Sequence, residues 1–251
     1  MTDQHAVVTG GGTGIGRATA LALAARGVRV TVMGRRMEPL LEACADFNHM
    51  QALRCDVTDP GAVTAAFDEA AHTFGDVDIL VNNAGAAPTA PFHALSAADW
   101  QAVMSLNLNG VFHCTQAALP AMRENAAGRI INIASTAAQK GYAYVSAYCA
   151  AKHAVLGLTL ALALETASKG ITVNAVCPGY TDTDIVREGI RNIVDKTGRS
   201  EAQALAQFTQ ANPQGRLIQP EEVAQTVLWL CSEESRSVTG QAISISGGEV
   251  M

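Results

Sequence analysis

Tyr148 and Lys152 are the residues of this chain whose types and spacing most directly suggest acid–base chemistry. They stand four positions apart in a proline-free stretch rich in alanine and leucine, residues 146–169, which predicts a helix with both side chains on one face. A phenol has a pKa of about 10, but a cation about 5 Å away stabilises the phenolate by roughly 3 kcal/mol. In a dry cleft the pair could therefore exchange a proton near pH 7. The alternative is an ordinary helix face.

A glycine-rich turn follows the first predicted strand, residues 5–9. The turn has the sequence TGGGTGIG, residues 9–16, and leads into a helix predicted to run through Ala25. In this order of elements, bare backbone can approach a pyrophosphate, whose charge then faces the N–H groups at the positive end of the helix. The sequence therefore predicts a dinucleotide site here. The alternative is a tight turn that uses glycine only for its dihedral angles.

Gly34, Arg35 and Arg36 follow the second predicted strand, residues 28–33. Dinucleotide folds commonly carry an acidic residue at this place, where it binds the ribose hydroxyls. A carboxylate would repel a 2′-phosphate, whereas a guanidinium pairs with it through two hydrogen bonds. The sequence favours NADP(H), with NAD(H) as the alternative if the arginines are simply solvated at a helix start.

Further strands alternate with helical stretches along the rest of the chain. The strands are predicted at residues 51–57, 77–81, 128–135, 171–177 and 241–245. A long helical stretch, 96–125, contains Asn107. This alternation predicts one α/β domain, residues 1–251, with a doubly wound parallel sheet. Asp56 could bind an adenine amine or cap the next helix, and Asn82 could face a ligand or tie strand ends together.

The composition argues against several classes of protein. With 49% apolar and 16% charged residues among 251, the chain is expected to be a compact soluble protein. A net charge of −6 argues against nucleic acid or an anionic membrane as partner. The six cysteines are scattered, so we expect reduced thiols in the cytoplasm and no metal site. Residues 1–5 are polar, and no run of eighteen apolar residues occurs, so neither a signal peptide nor a membrane span is expected.

Seven short motifs occur in a recognisable order. They are TGGGTGIG (9–16), DV (56–57), NNAG (82–85), SLNLNG around Asn107, INIAS ending at Ser135, YCAAK (148–152) and PGYTDT (178–183). With these motifs the chain resembles the short-chain dehydrogenase/reductase family over essentially its whole length. The resemblance implies a seven-stranded Rossmann fold with helices on both faces. It also implies an oxidoreductase that transfers a hydride between NAD(P)(H) and a ketone or secondary alcohol.

The resemblance implies roles for individual residues. Tyr148 would be the acid–base, Ser135 would bind the substrate oxygen, and Lys152 would lower the Tyr148 pKa and bind the nicotinamide ribose. Asn107 would hold a water that links Lys152 to solvent, or would instead stabilise a helix kink. The expected cofactor-binding residues are Gly10, Thr13, Gly14, Ile15, Gly16, Gly34, Arg35, Arg36, Asp56, Val57, Asn83, Ala84, Gly85, Tyr148, Lys152, Pro178, Gly179, Tyr180 and Thr183.

The variable substrate loop of the family corresponds to residues 180–215, where helices predicted at 184–192 and 200–212 would form a lid. Four basic residues there could grip an acidic substrate, but four acidic residues balance them, which is typical of a solvated surface. Parts of the chain resemble 3-hydroxybutyrate dehydrogenases. The positions that bind the carboxylate in those enzymes are here Ala87, Ala137, Val145 and Gly189, which cannot do so.

Other parts resemble ketoreductases of 3-oxoacyl thioesters and polyketide chains. An uncharged pocket around Ala86, Pro88 and Tyr142 favours an apolar acyl or ring substrate. The family commonly forms tetramers, and residues 155–164 are apolar nearly all round, so a homotetramer is expected. The alternatives are a non-catalytic nucleotide-binding subunit, a dehydrogenase of a small hydroxy acid, and a dehydratase or epimerase.

Overall fold

Seven strands form one parallel sheet in the described part of the chain, residues 3–251 of a computed structural model. The strands are β1 (His5–Thr9), β2 (Arg29–Gly34), β3 (Met50–Arg54), β4 (Ile79–Asn82), β5 (Gly128–Ile133), β6 (Ile171–Pro178) and β7 (Ala242–Ile245). Their order is β3-β2-β1-β4-β5-β6-β7. The strand order therefore reverses between β1 and β4, and folds of this kind bind ligands at that point. Residues 1 and 2, part of the polar segment in the signal-peptide prediction, lie outside the described residues.

Helices cover both faces of the sheet. They are α1 (Gly14–Ala24), α2 (Met37–Cys44), α3 (Pro60–Phe74), α4 (Ala97–Met104), α5 (Gly110–Glu124), α6 (Ser146–Thr166), α7 (Asp184–Thr197), α8 (Glu201–Thr209) and α9 (Pro220–Leu230). Side chains alternate along each strand, so Ala6 and Val8 of β1 join a core with α1, α2 and α9, whereas Val7 joins the opposite core with α3, α5 and α6. The predicted α/β architecture is confirmed.

Several predicted boundaries shift for local physical reasons. The long helix predicted at 96–125 is interrupted by a π-helical turn, Ser105–Asn109, between α4 and α5. The third strand ends at Arg54 because Asp56 accepts hydrogen bonds from the backbone N–H and hydroxyl of Thr58 and turns the chain. Helix α7 runs five residues beyond its predicted end, to Thr197, where Gly198 terminates it with φ 68°.

Helix α6 and its last turn, Ser146–Lys169, are long and apolar enough to cross a membrane by length and composition. The core helix of a globular protein passes the same test, so the expectation of no membrane span stays a prediction. Lys152 and His153 interrupt the apolar run, yet the mean hydropathy of a window in this helix still reaches 1.5. In this fold Val155 and Thr159 are fully buried, whereas Leu164 is 85% exposed. The helix thus has an inner face in the core and an apolar outer face.

A buried polar network fixes α6 against the sheet. The Asn82 amide donates to Asn132 Oδ1 at 2.9 Å and to Thr115 Oγ1 at 3.1 Å. The Asn132 amide in turn donates to Thr159 Oγ1 on α6 at 2.9 Å. Asn82 therefore ties strand ends together, the structural one of its two predicted roles. The network links β4 and β5 to the helix that carries Tyr148.

His5 at the start of β1 is a buried histidine whose ring nitrogens are both hydrogen-bonded within the protein. Its ring is fully buried, with Nδ1 2.8 Å from the carbonyl oxygen of Gly75 and Nε2 2.9 Å from Thr31 Oγ1. Burial lowers the pKa of His5, although the Gly75 carbonyl opposes this and the charges of Arg29 and Asp78 act in opposite senses.

We predict that this histidine contributes to loss of stability at low pH. Because its folded-state pKa lies below the ordinary value of about 6.5, the unfolded chain binds the proton first, and stability falls as pH falls below about 6.5. Thermal unfolding between pH 7.5 and 5 should show a shallower decline of Tm for His5→Gln than for the wild type or for the exposed control His72→Gln. Parallel curves for all three proteins would contradict this role.

Candidate active site

The carboxyl ends of β1, β4, β5 and β6 bring four of the motifs together. The Asn83 amide donates to the carbonyl oxygens of Thr9 and Gly10, at 2.9 and 3.2 Å, so the motif after β4 supports the glycine turn after β1. Across the cleft, Thr183 lies so close to this turn that a Cβ on Gly14 would be 3.0 Å from its methyl group. The sheet edge therefore forms one continuous site.

Ser135, Tyr148 and Lys152 converge at the end of β5. Ser135 stands two residues beyond the strand, and its Oγ accepts a hydrogen bond from the Ala137 N–H at 3.1 Å. Its side chain is also near enough to that of Tyr148, on the first turn of α6, to lower the Tyr148 pKa. Lys152, one turn further on, is 4% exposed and donates from Nζ to the carbonyl oxygen of Ile133 at 2.7 Å. Its Nζ lies 5.6 Å from the centre of the Tyr148 ring. The sequence spacing predicted that Tyr148 and Lys152 share one face of the helix. The end of β5 places Ser135 beside this face.

Burial dominates the electrostatics of this group. It raises the pKa of Tyr148 to about 12, while the hydrogen bond with Ser135 acts in the opposite direction. Burial also lowers the pKa of Lys152 to about 8. Among the chain's own groups, loss of solvation is the largest effect on the Tyr148 pKa, and Lys152 is not among the groups that shift it. The predicted lowering by Lys152 is therefore not found in the protein alone. Near pH 7, Tyr148 is a neutral phenol and Lys152 is mostly charged.

Asn107 occupies the π-helical turn and is fully buried. Its Nδ2 donates to the carbonyl oxygens of Val103 and Ala86, both at 3.0 Å, and its Oδ1 accepts from the Ala86 N–H at 3.3 Å. Asn107 thus stabilises the irregular helix turn and joins it to the chain after β4. A Cβ on Gly85 would lie 2.7 Å from Asn107 Oδ1 and 3.8 Å from Lys152 Nζ, so the two side chains flank this glycine.

The glycine turn after β1 suits a dinucleotide pyrophosphate. Gly10 has φ 64° and its N–H donates to Met33 O at 2.7 Å, while a Cβ on Gly16 would overlap the Gly10 carbonyl. Within the described residues, Thr13 makes no side-chain cap on α1, so a ligand can take up the first N–H groups of that helix, including those of Gly14 and Ile15. The turn therefore has the bare backbone and donor groups that a diphosphate needs.

The predicted adenosine-side residues lie around the ends of β2 and β3. Arg35 and Arg36 are exposed directly after Gly34, the last residue of β2. The pKa of Asp56 is lowered, chiefly by the Thr58 N–H and to a smaller extent by the charge of Arg35. The alternative prediction for Asp56 was that it caps the next helix. The structure instead places Asp59 at the N-cap of α3.

Two other predicted adenosine-side residues interact through their backbone. The Val57 carbonyl accepts a hydrogen bond from His113 at 2.9 Å. The Ala84 N–H donates to the Thr9 hydroxyl at 3.0 Å. Both segments are therefore held in place by groups of the protein itself.

The end of β6 and the loop after it connect the edge of the sheet to α7 and carry four of the predicted cofactor-binding residues. Pro178 ends the strand, the Gly179 N–H donates to Ile245 O at 3.0 Å, and Thr183 is the residue before α7. The Tyr180 ring packs against Phe208 of α8, with ring centres 5.0 Å apart. Tyr180 therefore contacts the helices of the predicted lid through its ring, a contact that the sequence does not predict.

Arg187 of α7 forms ion pairs at the protein surface. Arg187 Nε lies 2.9 Å from Asp182 Oδ1, and its guanidinium lies 3.9 Å from Asp184. The side chains of Arg187 and Asp184 are more than half exposed. For Arg187, the structure thus agrees with a solvated ion pair. Ala137, one of the positions compared with the hydroxybutyrate dehydrogenases, is 3% exposed and therefore buried.

Two contacts near the candidate site are not predicted by the sequence. The Thr9 hydroxyl accepts hydrogen bonds from the N–H groups of Asn83 and Ala84, both at 3.0 Å, and so aligns the chain after β4 with the glycine turn. Its place directly before the glycines was the only available signal. Glu249 reaches the Tyr142 hydroxyl across 107 residues of sequence, and no local pattern could indicate such a contact.

Comparison with known proteins decides the family. A family model described as enoyl-(acyl carrier protein) reductase matches residues 10–249. Cis-4-hydroxycyclohexanecarboxylate dehydrogenase from Sinomonas cyclohexanicum is 40% identical, over 99% of this chain and 97% of the relative. Acetoacetyl-CoA reductase from Rhizobium meliloti is 39% identical, over 98% of each chain. The chain belongs to the short-chain dehydrogenase/reductase family.

A solved structure extends this result to the fold. A crystal structure of an actinorhodin polyketide ketoreductase variant with NADPH superimposes on this short-chain dehydrogenase/reductase with a TM-score of 0.94 and 37% identity. The match covers 98% of this chain and 97% of that one. The predicted single-domain Rossmann fold is confirmed, as is the predicted class of NAD(P)-dependent oxidoreductase.

Gly16→Ala should disrupt the cofactor turn. The new methyl group would collide with the Gly10 carbonyl and the Asn83 amide, so we expect at least about tenfold weaker NADPH binding and a lower Tm. Fluorescence titration with NADPH measures the change. Gly141→Ala is the matched control, since a Cβ there meets nothing within 4 Å and the residue lies outside the glycine turn. Wild-type affinity in Gly16→Ala would contradict the assignment.

Proposed function

We propose that this short-chain dehydrogenase/reductase is a ketoreductase that uses NADPH to reduce a 3-oxoacyl thioester or a similar apolar acyl or cyclic ketone. The observation that carries the proposal is the convergence of Ser135, Tyr148 and Lys152 beside the glycine turn. In this proposal Ser135 and Tyr148 bind the carbonyl oxygen, and Tyr148 gives its proton to the developing alkoxide. The cofactor supplies the hydride when bound.

The electrostatics of the site support this assignment. A phenol with its pKa at about 12 carries its proton at neutral pH, which is the form that a reduction needs. Lys152, with its pKa at about 8, is mostly charged at pH 7 and favours the phenolate that forms when the proton leaves. Asn107, beside Gly85 and Lys152, would lie on the route by which a proton returns from solvent.

Preference for NADP(H) is supported by the end of β2. Arg35 and Arg36 are exposed there, next to the carboxyl end at which the adenosine ribose lies in folds of this kind. Two guanidinium groups suit a 2′-phosphate. The solved relative that carries NADPH is in accord with this preference.

Two features support an uncharged substrate. Ala87, Val145 and Gly189 stand where a polar set would bind a small carboxylate, which disfavours the alternative of a small hydroxy acid. Helices α7 and α8 form a small apolar cluster of their own around Val186 and Ile190, suited to a lid over the cleft at residues 180–215. The names of the relatives point to acyl thioesters and cyclic compounds.

The assembled site disfavours a non-catalytic nucleotide-binding subunit, because such a subunit has no use for a buried lysine beside a phenol. We also propose a homotetramer, since Leu160 and Leu164 on the outer face of α6 are 48% and 85% exposed and would be covered by a second copy. The free thiols of all six cysteines support a cytoplasmic location.

Tyr148→Phe tests the proton donor. Loss of one hydroxyl should lower kcat by roughly 10²–10⁴-fold, because the alkoxide loses its acid, while NADPH affinity changes little. Steady-state kinetics with NADPH and an acetoacetyl thioester, together with NADPH titration, separate the two effects. Tyr144→Phe is the control, since that ring is 66% exposed. A Tyr148→Phe enzyme with the wild-type rate would refute the proposed function.

Arg35→Ala tests the cofactor preference. Removal of a charge-assisted hydrogen bond to the 2′-phosphate should weaken NADPH binding about 10- to 100-fold and leave NADH binding within about threefold. Kd values for both nucleotides provide the measurement, with the exposed Arg26→Ala as control. Equal losses for NADPH and NADH would show that Arg35 does not bind the 2′-phosphate.

A further inference from the structure

The C-terminal turn, Ser246–Val250, packs beside the lid. Gly247 and Gly248 have φ of 63° and 94°, and Ser246 Oγ accepts from the Val250 N–H at 3.2 Å, so the chain reverses after β7. A Cβ on Gly247 would overlap the side chain of Asn212, which follows α8. This close packing directs Glu249 into the interior.

Glu249 is a buried carboxylate held by two donors. Its side chain is 1% exposed, and Oε1 accepts from the Tyr142 hydroxyl at 2.5 Å and pairs with Lys140 Nζ at 3.0 Å. The Tyr142 hydroxyl is also 2.7 Å from Thr136 Oγ1. Burial, with the hydrogen bond to Glu249, raises the pKa of Tyr142, so this phenol keeps its proton and donates it to the carboxylate. A buried charge persists only with such partners.

Tyr142 begins a row of three aromatic rings, Tyr142–Tyr180–Phe208. The ring centres are 6.0 and 5.0 Å apart, and both contacts are edge to face, at 79° and 89°. Lys140 Nζ lies 5.0 Å from the centre of the first ring. Phe208 reaches α7 at Gly189, where a Cβ would lie 3.0 Å from the ring. The aromatic row therefore connects the loop before α6 to both lid helices.

The aromatic row begins next to the proposed oxygen-binding serine. The Tyr142 hydroxyl lies 2.7 Å from Oγ1 of Thr136, the residue that directly follows Ser135. Tyr180, the middle ring, stands two residues beyond the end of β6, the strand that pairs with β5. In agreement with this placement, the charge of Tyr180 is, after burial, among the smaller causes that raise the pKa of Tyr148. The row therefore lies along the two loops that flank the proposed active site.

We infer that Glu249 is a positioning residue for substrate selection: by holding the Tyr142 hydroxyl it fixes the aromatic row as one wall of the cleft, which favours ketones that carry a ring. Fixed aromatic rings offer a flat apolar surface that a ring substrate contacts without ordering them first. The inference rests on the proposed function, because the row affects specificity only if Tyr148 serves ketone reduction.

The test compares cyclohexanone with 4-phenylcyclohexanone, which differ by one aryl group. In Glu249→Ala and Tyr142→Phe, the ratio of kcat/KM for the phenyl ketone to that for cyclohexanone should fall about threefold to tenfold, through KM. Glu249→Gln keeps an acceptor for Tyr142 and should restore most of the ratio. The exposed Glu69→Gln is the control.

Each outcome decides the inference. An unchanged ratio, or an equal loss for both ketones, overturns the positioning role of Glu249 and leaves the ketoreductase assignment standing. Tyr142→Phe removes only a hydroxyl, so it gives the answer if Glu249→Ala does not fold. If the wild type reduces neither these ketones nor an acetoacetyl thioester, the proposed function itself fails, and the inference fails with it.

Discussion

The site depends on a buried ammonium group, that of Lys152, held next to the Tyr148 phenol. Burying a cation costs free energy unless hydrogen bonds replace its water. The Ile133 carbonyl, at the end of β5, provides one such bond at 2.7 Å. Helix α6 must therefore keep a fixed register against β5, which the hydrogen bond from Asn132 to Thr159 provides. The geometry of the proposed catalytic pair is thus a consequence of how one helix packs on one strand.

The other parts of the site are positioned by glycines, which let neighbouring groups approach the backbone closely. Gly85 leaves room for Asn107 on one side and Lys152 on the other, and Gly16 leaves room for the turn at Gly10. Thr9 holds the segment after β4 against that turn through two N–H groups. The proposed cofactor turn and proton donor therefore belong to one edge of the sheet. The two helices of the proposed lid have a small core of their own around Ile190, so this region can differ between relatives without disturbing that edge.

The sequence predicted features that depend on local pattern. Alternating strands and helices, the glycine turn and the spacing of Tyr148 and Lys152 all follow from residues close together in the chain. The sequence did not predict contacts between residues that are far apart along the chain, such as the one between Tyr142 and Glu249. The sequence also did not predict the direction of the Tyr148 pKa shift. The distance between two charged groups can be estimated from helix geometry, whereas the loss of solvation depends on how the whole fold packs.

The central claim is that Lys152, together with a bound nicotinamide, makes a half-buried phenol into a usable acid. Direct titration of Tyr148 tests it best, by NMR of protein with ¹³Cζ-labelled tyrosine, in the presence and absence of NADP⁺. From about 12 in the protein alone, the Tyr148 pKa should fall by several units with NADP⁺, and much less in Lys152→Met. A Tyr148 pKa that stays near 12 with NADP⁺ bound, or falls equally without Lys152, would contradict the account.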